Sequence, residues 1–179
     1  LWAAPWMGRA AWESVAALEV PGINETHVAI LVGDDRGDAP LLLYVGEKMP
    51  GGNFLERNGL VRGKLYMWVA DGGELSPADW NGTGTSRNGT FVEVENYNAN
   101  QAGSADSQSD LGFDELGFAT QAELDNQQVV IGAFSFSRPE DLHTNPQNGK
   151  GSQVVFASTG RVTDINQGAD YWGTTYLVD

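Results

Sequence analysis

Short apolar runs separated by glycine- and aspartate-rich turns set the rhythm of this chain. Thr26–Val32 and Leu41–Gly46 are apolar stretches of strand length, and Gly33–Pro40 between them reads as a hairpin connection longer than the tightest turn. Gly63–Ala70 alternates as a strand does, and Gly89–Glu95 sets Thr90, Val92 and Val94 against Phe91, Glu93 and Glu95. Gln153–Ser158 and Thr174–Val178 repeat the signal near the end of the chain. Glu13–Val20 fits alternation and a helical pattern equally. Leu116–Asp125 predicts a short helix and Gln128–Phe136 a strand, while Asp71–Asn88 reads as a polar loop around Trp80.

The runs also echo one another. Glu13, in the stretch Met7–Glu13, lies 15 residues before Val28, and Glu140, in Arg138-Pro139-Glu140-Asp141, lies 14 before Val154. Each is followed by a strand, a glycine-containing turn and a second strand. Successive units that bring a carboxylate to the same relative place are how a repeat sheet aims acidic side chains at one site. The expectation is an all-β chain of β-propeller-like repeated antiparallel sheets. At roughly 40 to 50 residues per blade, residues 1–179 would supply part of one propeller, so a piece of a larger one is expected.

Tyr97–Asp114 interrupts the pattern. Its Asn, Gln, Ser and Asp residues carry no apolar stripe to offset the entropy of ordering, so an exposed polar insertion or mobile lid is expected over about 97–114. Asp106, Asp110, Asp114 and Glu115 do not follow the alternate-residue spacing of a calcium loop.

Charge narrows the partners. With 24 acidic against 10 basic residues the formal net charge is −14, which repels nucleic acid and leaves carboxylates for hard cations such as calcium. No apolar run approaches the roughly 20 residues of a membrane span. The absence of cysteine removes disulfides and thiolate metal sites from this segment.

The sharpest candidate chemistry lies at Arg138-Pro139-Glu140-Asp141. Proline fixes φ and suits the start or edge of a strand, and the carboxylates that follow it turn to opposite faces. Glu140 and its echo Glu13 are candidate metal ligands. Arg138 and Arg9 each lie within four residues of one of them, and each could hold a phosphate oxygen or pair with that carboxylate. Asp34 and Asp35, read as part of the Gly33–Gly37 hairpin loop, are further candidate ligands, although turn chemistry explains Gly-Asp-Asp equally well. His27 and His143 form no recognisable metal pair, and the six tryptophans read as packing.

Met7-Gly8-Arg9 through Glu13, the turn Val32–Asp38 before Leu42-Leu43-Tyr44, Gly63–Tyr66, Phe136–Asp141, Asn145-Pro146 and Trp172-Gly173 together resemble the PhoX-type alkaline phosphatases. The resemblance implies an exported bacterial β-propeller, secreted, periplasmic or at the cell surface, that holds calcium and iron and hydrolyses phosphate monoesters. It implies that Glu13 and Glu140 are metal ligands and that Arg138 orients phosphate. The chain departs from the family at Trp12, where a histidine is usual, and lacks its Cys-Glu-Glu segment. The alternative is a non-catalytic, calcium-stabilised extracellular module, capable of self-assembly, on the same fold. A carbohydrate-binding β domain is a third reading.

Overall fold

The structure, a computed structural model, describes residues 1–162 and 167–179. Five strands form the first antiparallel sheet in chain order: β1 (Trp12–Ala17), β2 (His27–Asp34), β3 (Leu42–Glu47), β4 (Lys64–Ala70) and β5 (Gly89–Val94). Three more form the second: β6 (Pro139–Thr144), β7 (Val154–Ser158) and β8 (Thr174–Val178). Helices are short, namely α1 (Phe54–Arg57), α2 (Pro77–Trp80) and α3 (Gln121–Ile131). The chain is all-β, built of β-propeller-like repeated antiparallel sheets.

The first strands of the two sheets lie side by side. β1 and β2 both contact β6, and the Ser14 hydroxyl donates to the Leu142 carbonyl at 3.3 Å. Each of these first strands is irregular: register shifts between Trp12 and Ser14 in β1, and between Pro139 and Leu142 in β6. Glu13 and Glu140 both occupy these irregular stretches, where a bulge turns a side chain out of the regular alternation.

The larger sheet is buried on both faces, which is why β2 reads as an unbroken apolar run. One face sets Ala16, Leu31 and Leu41 against Phe134, Phe136, Leu142, Phe156 and Tyr176 of the second sheet and its approach. Phe136 is the hub, with ring centroids 5.1 Å from Phe156, 5.0 Å from Tyr176 and 4.6 Å from Phe134. The opposite face packs Val32, Tyr44, Leu65 and Met67 against Phe113, Ala119 and Leu124. Trp68 and Trp80 also pack against the inter-sheet core, so the Asp71–Asn88 loop is anchored by α2.

One segment differs from its sequence expectation. The Gln128–Phe136 strand is instead the end of α3 and an extended run beyond it. The Thr120 side chain caps the Glu123 N–H at the start of the helix and Gly132 closes it at φ 69°, and these boundary signals override the β-branched Val129-Val130-Ile131. The polar Tyr97–Asp114 stretch is a hydrogen-bonded loop. Gly103 N–H donates to Asp114 O at 2.8 Å, Ala105 to Phe113 O at 2.9 Å and Asp106 to Leu111 O at 2.9 Å. Its anchor is Phe113, buried beneath the larger sheet, with Tyr97 packed on Trp6 and Phe118.

Candidate functional site

Asp34 ends β2 as a buried strand residue, 1% exposed, not as part of the loop the sequence suggested. Its Oδ1 accepts the Ala11 N–H at 3.0 Å, and Arg36 reaches back to it. Nε donates at 3.0 Å to each carboxylate oxygen and Nη2 to Oδ2 at 2.7 Å. The far side of the same guanidinium binds Asp125 of α3, with Nη1 and Nη2 at 3.0 and 2.8 Å. Burial works against the Arg36 charge, but hydrogen bonds and charge from Asp125 and Asp34 outweigh it and hold its pKa above the ordinary value.

Asp35 faces the second sheet. Arg138 Nε donates to its Oδ1 at 2.8 Å, and Nη2 lies 3.0 Å from Glu140 Oε1. The Thr159 hydroxyl donates to the other Glu140 oxygen, and Thr159 N–H binds Arg138 O at 3.0 Å. One guanidinium thus ties the end of β2 to the start of β6. Arg161 completes the group. A Cβ added at Gly37 would lie 2.2 Å from Arg161 Nη1, so the bare glycine backbone is what lets that side chain rest on the turn.

The sheets approach this closely because residue 33 has no side chain. A Cβ there would meet Glu140 O at 2.5 Å and Pro139 O at 2.8 Å, both backbone atoms. Gly33 therefore sets the spacing between the strand that carries Asp34 and Asp35 and the one that carries Glu140.

The structure brings Asp35, Arg138 and Glu140 into direct contact, with Asp34 one residue away in its own ion pair. Glu13 stands apart. It is exposed on β1, beside the Trp12 that pairs with Asp34, and joins none of these ion pairs. Arg9 bonds to Asp114 rather than to Glu13. His27, half-buried, has its Nδ1 2.9 Å from the Thr26 hydroxyl, and the exposed His143 has its Nδ1 2.6 Å from Thr144 O. Sequence reasoning passed over Arg36, Asp125, Thr159 and Arg161. The run Asp34-Asp35-Arg36 held a local signal for the first of these; Asp125 lies 89 residues away and left none.

Calcium or iron bound here would have to compete for carboxylate oxygens that already have partners. Both oxygens of Asp34 already accept hydrogen bonds, Glu140 accepts one at Oε2 and is ion-paired with Arg138 at Oε1, and Asp35 Oδ1 is held by Arg138. Among the described residues no three His, Cys, Asp or Glu side chains converge as a metal-binding group. The candidate ligands as placed do not by themselves fit a metal ion.

No protein-family model matches the chain, and no curated protein matches its sequence. Its fold is similar to the solved structure of Pseudomonas fluorescens PhoX in complex with vanadate, a transition state analogue. The TM-score is 0.57 at 21% identity, over 97% of this chain and 29% of that one. The chain has a PhoX-like fold and spans less than a third of that protein's length. No helix among the described residues is long and apolar enough to cross a membrane.

Proposed function

We propose that this chain forms part of an exported, PhoX-like phosphate monoester hydrolase. The observation that carries the reading is the Arg138 guanidinium where the two sheets meet, held by Asp35 and Glu140, with the Arg161 side chain lying against Gly37 of the same turn. A guanidinium fork matches the oxygens of a phosphoryl group, and Arg138 is held ready by Asp35 and Glu140 with its side chain 34% exposed. A phosphoryl oxygen would bind at Arg138 by displacing a carboxylate from Nη2, and the second carboxylate would keep the guanidinium oriented. The likeness in fold to a protein solved with vanadate supports the reading.

Calcium, with iron beside it, belongs to the proposal, with Glu13 and Glu140 as ligands and the remainder supplied from outside the described residues. The described side chains do not by themselves assemble a site for these ions. The test is hydrolysis of p-nitrophenyl phosphate, with and without chelator and vanadate, by protein from its native source. Vanadate-sensitive turnover that Arg138→Ala abolishes is the expected result, and no turnover from metal-replete protein would overturn the proposal.

A second reading is favoured by the same ion pairs. Arg138 is neutralised by Asp35 and Glu140, which is also how a purely structural cross-link between two sheets is built. This reading makes the chain a calcium-stabilised extracellular module without turnover. Calcium-dependent stability together with no hydrolysis would select it.

A further inference from the structure

One buried side chain ties together the two segments that bring Asp35 to Arg138. Gln128, near the C-terminal end of α3 and 6% exposed, donates through Nε2 to Asp38 O at 2.8 Å and to the Ser135 hydroxyl at 2.9 Å. Asp38 lies three residues after Asp35, and Ser135 lies three residues before Arg138. The same amide therefore holds the turn that carries one ion-pair partner and the run that delivers the other.

Backbone pairing between this turn and this run is short. Ala39 and Phe136 form an isolated bridge, with the Phe136 N–H on Ala39 O at 2.9 Å and the Asp38 N–H on Ser137 O at 3.3 Å. An isolated bridge can act as a pivot, and a cross-link beside it fixes the angle. Asp38 stands at φ 61°, in the left-handed region that L side chains enter at a cost, and the Gln128 bond holds its carbonyl in that setting. Asp125, three residues earlier on α3, grips Arg36 of the same turn.

The chemistry of residue 128 points to bonding rather than packing. A buried amide is costly unless its donors are satisfied, and Nε2 donates to two acceptors. Ala39, Phe136 and Ser137, which lie along the same seam, are all 2% exposed or less, so the clamp is enclosed by the chain itself.

We infer that Gln128 is a positioning residue that fixes the reach between Asp35 and Arg138. Its consequence for turnover rests on the hydrolase reading: Gln128 sets how strongly a phosphoryl oxygen must compete with Asp35 for the Arg138 guanidinium.

The test is Gln128→Met, which nearly keeps the side-chain volume and removes the donors. Double-mutant cycles by urea unfolding, run in the parent and in this variant, read two couplings: Asp35 with Arg138, across the clamp, and Glu140 with Arg138, two residues apart along the chain. A general loss of stability cancels within each cycle. The Asp35–Arg138 coupling should fall to less than about half its parent value while the Glu140–Arg138 coupling is kept. An unchanged Asp35–Arg138 coupling, or an equal fall in both, would overturn the positioning role. Ser135→Ala, which opens the clamp from its other end, must show the same order of effects and decides the matter if Gln128→Met does not fold. In p-nitrophenyl phosphate hydrolysis, Gln128→Met should lower KM at least about twofold with kcat nearly unchanged, and should add nothing further to Asp35→Asn. A fall in kcat in both backgrounds would mark Gln128 as merely structural and overturn the assignment. Metal-replete protein without turnover, whose couplings nevertheless behave as stated, would overturn the hydrolase reading and support the positioning role.

Discussion

Arg36 clasps Asp34 through Nε and Nη2, at 3.0 and 2.7 Å, at the very end of a buried strand. The two partners of Arg36 differ sharply in environment: the Asp34 side chain is 1% exposed and that of Asp125 44%. Replacing Arg36 by alanine leaves a buried carboxylate unpaired, whereas replacing Asp125 removes only an exposed partner.

Arg36→Ala should therefore destabilise the fold by about 3 kcal/mol and Asp125→Ala by less than about 1 kcal/mol. Urea unfolding of the two variants decides this. Equal losses would mean that Asp34 finds a substitute donor once Arg36 is gone.

Gly33→Ala tests the spacing of the sheets. The new methyl would press on the backbone carbonyls of Pro139 and Glu140, which cannot rotate away, so β6 must move. A loss of about 2 kcal/mol is expected from overpacking. Weaker coupling of Asp35 to Arg138 in a double-mutant cycle should accompany it, and a cycle unchanged from the parent would show that the strands shift together.

Alkaline pH should loosen the fold through Tyr44. Burial pushes this phenol up to about 12, against a hydrogen bond with Gly63 that works the other way, and its hydroxyl donates to Gly59 O at 2.8 Å. An unfolded phenol ionises near 10, so above that pH the unfolded chain gives up a proton that the folded chain keeps. The stabilisation is complete below about pH 10 and drains away between about 10 and 12. Tyr176 acts in the same direction, raised by burial and then by the Asp170 charge. Denaturation midpoints measured across this window should fall for the parent and fall less for Tyr44→Phe.

The hydrolase proposal separates Arg138 from its two carboxylates. Arg138→Ala should abolish vanadate-sensitive turnover, while Asp35→Asn should leave kcat largely unchanged, because Glu140 still orients the guanidinium, and lower KM, because one carboxylate no longer competes for it. Steady-state kinetics on p-nitrophenyl phosphate reads both. Unchanged kcat and KM in Arg138→Ala would remove Arg138 from phosphate binding.

Much of the strand pattern was legible because local chemistry writes it. Thr26–Val32, Leu41–Gly46, Gly63–Ala70, Gly89–Glu95 and Thr174–Val178 each carry an apolar run or alternation, and each holds a strand of the structure. Where local signals compete, the reading erred. Val129 and Val130 are strong strand formers, yet they stand 80% and 75% exposed on α3, because Thr120 and Gly132 bound a helix around them. In Tyr97–Asp114 the polar residues supply turns, and the ordering comes from Phe113 entering a core built by strands distant in sequence.

By itself the sequence determined the strand-rich character, the echo that starts each sheet and the acidic balance, since periodicity, turn residues and charge are properties of neighbours along the chain. Only the tertiary structure decided which carboxylate meets which guanidinium. Arg138 finds Asp35 across 103 residues and Arg36 finds Asp125 across 89, while Glu13, which the echo ranked with Glu140, stays outside these pairs. The reason is physical. An ion pair depends on a few ångströms of separation, which the packing of β2 on β6 over Gly33 sets and no periodicity encodes.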